Sequence, residues 1–110
     1  MANIFKLKTK AGVTTLATVY TVPSSTTAIV LGLVIGNTTS GAITSTITLS
    51  SDTSDTETNA DVEIITNAAI PANSSLEVMG GNKIVMQTTD LIRVFGSAAV
   101  DVTLSIMEIT

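Results

Sequence analysis

Apolar and polar residues alternate with period two, broken by a turn signal about every ten residues, and this pattern most restricts how the chain can fold. Phe5 and Leu7 alternate with Lys6, Lys8 and Lys10 before Ala11-Gly12 turns the chain. Leu16, Tyr20 and Val22 share one phase of a second segment, which Pro23-Ser24-Ser25 ends. A third segment, Thr27 to Gly36, is apolar throughout. In the fourth, Ile43, Ile47 and Leu49 face one way, and Thr44, Thr46, Thr48 and Ser50 the other. A fifth starts at Val62, Ile64 and Ile65 and closes at Ile70-Pro71. Leu76 and Val78, Ile84 to Met86, Leu91 to Phe95, and Val100 onward complete the series, with Gly80-Gly81-Asn82 and Gly96-Ser97 as turns. No helical stripe of comparable length competes. The spacing predicts an all-β chain of eight or nine short strands in a two-sheet antiparallel sandwich, jelly-roll-like or immunoglobulin-like. It predicts one domain over 1–110, long enough to bury a core without metal or disulfide support.

Composition narrows the chemistry. There is no cysteine and no histidine, which removes disulfides, thiol nucleophiles, the usual zinc sites and any serine–histidine catalytic pair. The net charge of −4 argues against nucleic acid as a partner. Aromatics are 3% of residues, which leaves little to stack against bases or sugars. With 45% apolar and 13% charged residues, a folded chain is expected. The N-terminal residues lack the apolar stretch of a signal peptide, so secretion by that route is not indicated. The longest apolar run is about half the length of a membrane-spanning helix, and membrane anchoring is not expected.

That run, Thr27-Ala28-Ile29-Val30-Leu31-Gly32-Leu33-Val34-Ile35-Gly36, is the informative stretch. A half-wet strand has one polar phase, and here neither phase is polar. Ile29, Leu31, Leu33 and Ile35 form a large row suited to the core. Ala28, Val30, Gly32, Val34 and Gly36 form a small apolar row that another molecule would cover. The expectation is a homo-oligomer with Val30, Gly32 and Val34 at the subunit interface. The competing readings are a strand covered by its own chain, or a glycine bulge. Near the C-terminus, Met107 and Ile109 put apolar groups on a phase that Asp101, Thr103 and Ser105 keep polar. They join the interface candidates, against simple packing within one protomer.

Other candidates have ordinary explanations beside them. Asp52, Asp55, Glu57, Asp61 and Glu63 offer oxygen ligands to calcium, but their spacing matches no EF-hand and reads as a solvated loop. Lys6, Lys8 and Lys10 on one strand phase suit an acidic docking surface, or else guard a sheet edge. Arg93 amid Leu91, Ile92, Val94 and Phe95 suits an interface, or a surface arginine with its stem laid along the sheet. Asn37-Thr38-Thr39 and Asn73-Ser74-Ser75 match glycosylation sequons but read as turns. No catalytic residues, cofactor or metal are expected.

Three segments carry a resemblance. They are Val19-Tyr20-Thr21-Val22-Pro23-Ser24-Ser25-Thr26-Thr27 running on through Gly36-Asn37-Thr38-Thr39, then Ile70 to Met86, and finally Asp101 to Ile109. Their order resembles small virion structural proteins of tailed bacteriophages of the marine and cyanobacterial type, from about Val19 to the end of the chain. The resemblance implies a structural component of the virion with no catalytic motif. Within that class it implies a capsid cement or decoration protein, a trimer on the outer head surface, with the major capsid protein as partner. It carries over no site residues, and the chain's own charges, Lys6, Lys8, Lys10 and Arg93, are the candidates for the shell contact. The alternatives are a neck, collar or tail-associated component, or a fibre-base or glycan-binding module. Phe5, Tyr20 and Phe95 are the only rings a glycan site would have.

Overall fold

The computed structural model describes residues 2–51 and 61–110. Among the described residues there are nine strands: β1 (Asn3–Val13), β2 (Ala17–Thr21), β3 (Thr27–Asn37), β4 (Ile43–Ser50), β5 (Asp61–Ile70), β6 (Ser75–Glu77), β7 (Ile84–Met86), β8 (Leu91–Gly96) and β9 (Val100–Ile109). They fall where the alternation places them. Threonine-rich and β-branched segments favour the pleated sheet, and the Gly-, Pro- and Asn-bearing stretches turn the chain. Two of the turns use left-handed backbone, at Asn73 between β5 and β6 and at Gly80 and Gly81 between β6 and β7.

Two antiparallel sheets pack into a sandwich. One has the order β1-β9-β3, with β6 and β7 side by side along the far edge of β3; the other has the order β2-β8-β4-β5. The pairings nest: β1 with β9, β2 with β8, β3 with β6 and β7, β4 with β5. A long hairpin rolled over so that successive pairs alternate between sheets gives this order, which is the jelly-roll arrangement.

The core lies between the sheets. Val100, Val102, Leu104 and Ile106 of β9 face Ile92 and Val94 of β8 and Ile47 of β4 within one buried cluster. Each large side chain buried there is worth roughly 1.5–3 kcal/mol relative to exposure. Val22, Ile70 and Met86 close the cluster from the loops and sheet edges.

The apolar run on β3 departs from the simple alternation. Val30 pairs with Ile106, but Gly32 pairs with the next residue back, Ser105, so Leu31 is an extra residue and the strand bulges. One inserted residue exchanges the two faces. Ala28 and Val30 point inward before the bulge, and Leu33 and Ile35 point inward after it, all four fully buried. The expected split into a large inner row and a small outer row is therefore corrected: each face takes members of both rows. Val30 belongs to the protomer's own core and is not an interface residue. The outward positions are Ile29, Gly32, Val34 and Gly36.

Asn37 ends β3 as a buried hub. Its Nδ2 donates to the carbonyls of Gly41, Ile70 and Pro71, and its Oδ1 accepts from the Thr39 amide and hydroxyl. The sequon here is a turn whose asparagine side chain is fully engaged, tying the β3–β4 loop to the β5–β6 loop.

Candidate functional site

The register between β1 and β9 decides what the first sheet presents to solvent. Lys6, Lys8 and Lys10 lie opposite Ile106, Leu104 and Val102. Directly opposed residues share a sheet face, and those three partners are buried in the core. The lysines therefore lie on the inner side of the edge strand. Phe5 and Leu7 point outward instead, 71% and 63% exposed. Over Phe5 to Lys10 the strand is inverted relative to a half-wet strand, with its charges on the inner side and Phe5 and Leu7 outward.

An inward lysine at the sandwich rim needs a counter-charge, and β9 supplies it. The inward row Val100-Val102-Leu104-Ile106 continues to Glu108, which is buried. Lys6 Nζ lies 2.8 Å from Glu108 Oε1. The Tyr20 hydroxyl, from β2 in the other sheet, donates to Glu108 Oε2 at 2.6 Å. Lys8 Nζ sits 5.9 Å from the centroid of the Tyr20 ring. Donation from Lys6, and then from Tyr20, holds the Glu108 carboxyl below its ordinary range against the opposing effect of burial. Burial, then the hydrogen bond to Glu108 and its charge, push the Tyr20 hydroxyl well above its ordinary value. Glu108 is thus kept ionised and Tyr20 kept neutral. Neither is poised to exchange a proton near neutrality, and the cluster acts as a clamp joining the two sheets.

The outer face of the same sheet is graded. One row crosses four strands as Phe5, Met107, Ile29 and Val85, all apolar. The next is Leu7, Ser105 and Gly32. Then come Thr9, Thr103, Val34 and Glu77, and after them Asp101, Gly36 and Ser75. The face runs from apolar to polar, and its charged residues, Glu77 and Asp101, stand at one end. Val85 is 61% exposed and Val34 37%. Met107 and Ile109, expected at an interface, lie half-buried on this face, and so does Gly32. A side chain at Gly32 would meet open space, so that glycine marks no close approach within the chain. The outer face of the second sheet is different, carrying Thr44, Thr46 and Arg93.

The remaining candidates are dispersed. Arg93 pairs across from Thr18 and Thr48 on the outer side of the second sheet, apart from the lysines on the inner side of β1. Lys6 and Lys8 are engaged within the chain, and Lys10 is exposed. Phe5 is on one outer face, Phe95 is half-buried on the other, and Tyr20 is in the core, so the three rings form no common platform. Asp52, Asp55 and Glu57 of the acidic cluster lie outside the described residues. Asp61 and Glu63 begin β5, where Glu63 accepts a hydrogen bond from the Thr66 hydroxyl. Among the described residues no group of acidic side chains is placed to hold a metal ion.

Sequence reasoning did not find Glu108 or the outward Phe5 and Leu7. The signal for Glu108 was present, since it falls on the same phase as four apolar residues. Taking lysine to mean the wet face concealed the role of Phe5.

No family model matches the chain, and no curated protein matches it. Among solved structures it is similar to the one described as "Bacillus endospore appendages form a novel family of disulfide-linked pili", at 15% identity and a TM-score of 0.54. That likeness covers 99% of this chain and 87% of the other. At this identity it is a likeness of fold, and it agrees with the two-sheet arrangement derived above.

Proposed function

We propose that the chain is a structural subunit of a tailed-phage virion, a cement protein that oligomerises and stabilises the head shell. The observation that carries the reading is the uncharged row Phe5–Met107–Ile29–Val85 on an otherwise folded and satisfied domain. Contiguous apolar surface of this kind on a soluble domain marks a contact with another protein. The ordered likeness of three segments to phage virion proteins supplies the setting. The cohesion of the fold supports a mechanical part: two sheets clamped at Tyr20–Glu108, and no buried side-chain polar atom without a partner among the described residues.

Within this reading, the oligomer covers the apolar face and the polar remainder meets the shell. Lys10, exposed on the edge strand, is the lysine left for an acidic patch on a capsid subunit. Mass spectrometry of purified particles tests the assignment. High copy number supports a shell protein, low copy number moves it to the neck or tail, and absence from particles ends the virion reading.

A second reading is favoured by the similarity to a pilus structure: a subunit of a filamentous appendage. That structure is described as belonging to disulfide-linked pili, and this chain has no cysteine. A filament of this chain would be held without disulfides. Electron microscopy of concentrated protein separates the readings, since discrete oligomers favour cement and open fibres favour an appendage.

A further inference from the structure

We infer that the apolar end of the β1-β9-β3-β7 face is covered by the same face of a second copy, in a two-fold pair. The inference deepens the virion reading by naming the partner of that face.

Charge is the first argument. Two copies each carrying a net charge of −4 repel one another over most of their surface. The rows from Phe5 to Val85 and from Leu7 to Gly32 contain no charged residue. Glu77 and Asp101 stand at the opposite end of the face. Packed about a two-fold axis through the apolar rows, the two faces meet without a like-charge contact, and their acidic ends point away from each other.

Area is the second. Phe5, Leu7 and Val85, with Val34 beside them, are 71%, 63%, 61% and 37% exposed, which amounts to roughly 350–450 Å² if a large apolar side chain presents about 150–200 Å². A pair then buries about 700–900 Å² before half-buried neighbours such as Met107 are added, the size of a weak, concentration-dependent interface.

The sheet edges offer the copies no better contact. β1 is the long regular edge, in unbroken register from Asn3 to Lys10, but two β1 strands side by side would set lysines against lysines. β5 has register shifts against β4 and a left-handed Asn67, features that blunt an edge. β6 and β7 have three residues each, and β2 is bulged between Thr18 and Tyr20. The faces are what remain. A single self-complementary face closes as a dimer, in place of the trimer expected from the resemblance.

Sedimentation velocity on the full chain tests this, using the wild type, the double variant Phe5→Lys/Val85→Lys, and Val62→Glu as a control on the other sheet. The wild type should be dimeric by about 100 µM, with a dissociation constant in the micromolar range. The double variant should weaken pairing at least about 100-fold, because two charges enter an apolar contact. Val62→Glu should pair like the wild type. Matching circular dichroism and melting profiles establish that the variants fold. A wild type that stays monomeric at that concentration, one that forms trimers, or a double variant that pairs normally each overturns the inference. A monomer that is nevertheless abundant on particles removes the pair and leaves the virion reading standing. A dimer absent from particles keeps the pair and removes that reading.

Discussion

The Tyr20 hydroxyl reaches across the sandwich to donate to Glu108 Oε2 at 2.6 Å, while Lys6 holds the other carboxylate oxygen at 2.8 Å. Both oxygens of a buried carboxylate are thereby satisfied, one from each sheet. Losing a hydrogen bond to a charged group typically costs about 1.5–3 kcal/mol. Tyr20→Phe should therefore destabilise the fold by about 2 kcal/mol in urea unfolding. Glu108→Gln keeps the shape and removes the charge, so Tyr20→Phe should cost less in that background. A double-mutant cycle measures the difference, and a coupling near zero would show the contact to be energetically idle.

The same cluster sets the pH dependence. Glu108 ionises at a lower pH in the folded state than in the unfolded chain, principally through Lys6. In the acid range the unfolded chain binds the extra proton, so stability is present above the ordinary carboxylate range and is lost as pH falls through the folded value. Tyr20 has the opposite sign. Its folded value is raised, chiefly by burial, so its contribution is complete below the ordinary tyrosine value of 10.0 and drains away as pH rises beyond it. Chemical denaturation from pH 3 to 11 should show both limbs. Glu108→Gln should flatten the acid limb and Tyr20→Phe the alkaline one. Limbs unchanged by either variant would refute the assignment.

Asn37 gives a third prediction, at the opposite end of β3. Its Nδ2 donates to three carbonyls, of Gly41, Ile70 and Pro71. In Asn37→Ala the carbonyls lose that donor and the Thr39 amide its acceptor; Gly41 keeps the Thr39 hydroxyl and Pro71 the Ser74 amide, so the loss should be roughly 1–3 kcal/mol. Asn37→Asp should also fail, because a carboxylate accepts but does not donate to the three carbonyls. Thermal melts of both variants check this. Asn37→Asp melting with the wild type would mean that the acceptor side of the hub is enough.

How far the sequence disclosed this architecture follows from what period two can encode. Alternation names which residues share a face, and it located the nine strands of the described residues, because the buried rows of β8, and of β9 as far as Ile106, are apolar. It cannot register an inserted residue. The bulge at Leu31 leaves no local mark in a run where both phases are apolar, and so Val30 was assigned to the wrong side. Nor does alternation name which face is inward when both carry plausible groups. On β1 the lysine phase lies on the inner side although its side chains still reach solvent, and Lys6 pairs there with Glu108, which lies 102 positions further along the chain by the difference of their numbers. Polar hubs of this kind depend on long-range pairing, which residue spacing does not contain. For the outer face, Met107 and Ile109 were legible as misplaced apolar groups. Their continuity with Phe5 and Val85 became visible only through the strand order.

Two glycines on neighbouring themes should respond in opposite ways to the same substitution. Gly96 ends β8 where the chain crosses toward β9, and a Cβ there would stand 2.6 Å from the Ala98 carbonyl oxygen and 2.9 Å from the Val13 carbonyl oxygen. Both obstacles are backbone and cannot swing aside, so the β8–β9 turn must shift. Gly96→Ala should destabilise by about 3 kcal/mol, the upper part of the range for overpacking. Gly32 sits beside the β3 bulge with nothing within 4 Å of the added carbon. Gly32→Ala removes backbone freedom from the unfolded chain without a clash, so the monomer should be unchanged or stabilised by up to about 1 kcal/mol. Urea titrations of the two variants at low protein concentration, where pairing does not contribute, measure both effects. The packing account of the β8–β9 turn fails if Gly96→Ala is tolerated as well as Gly32→Ala.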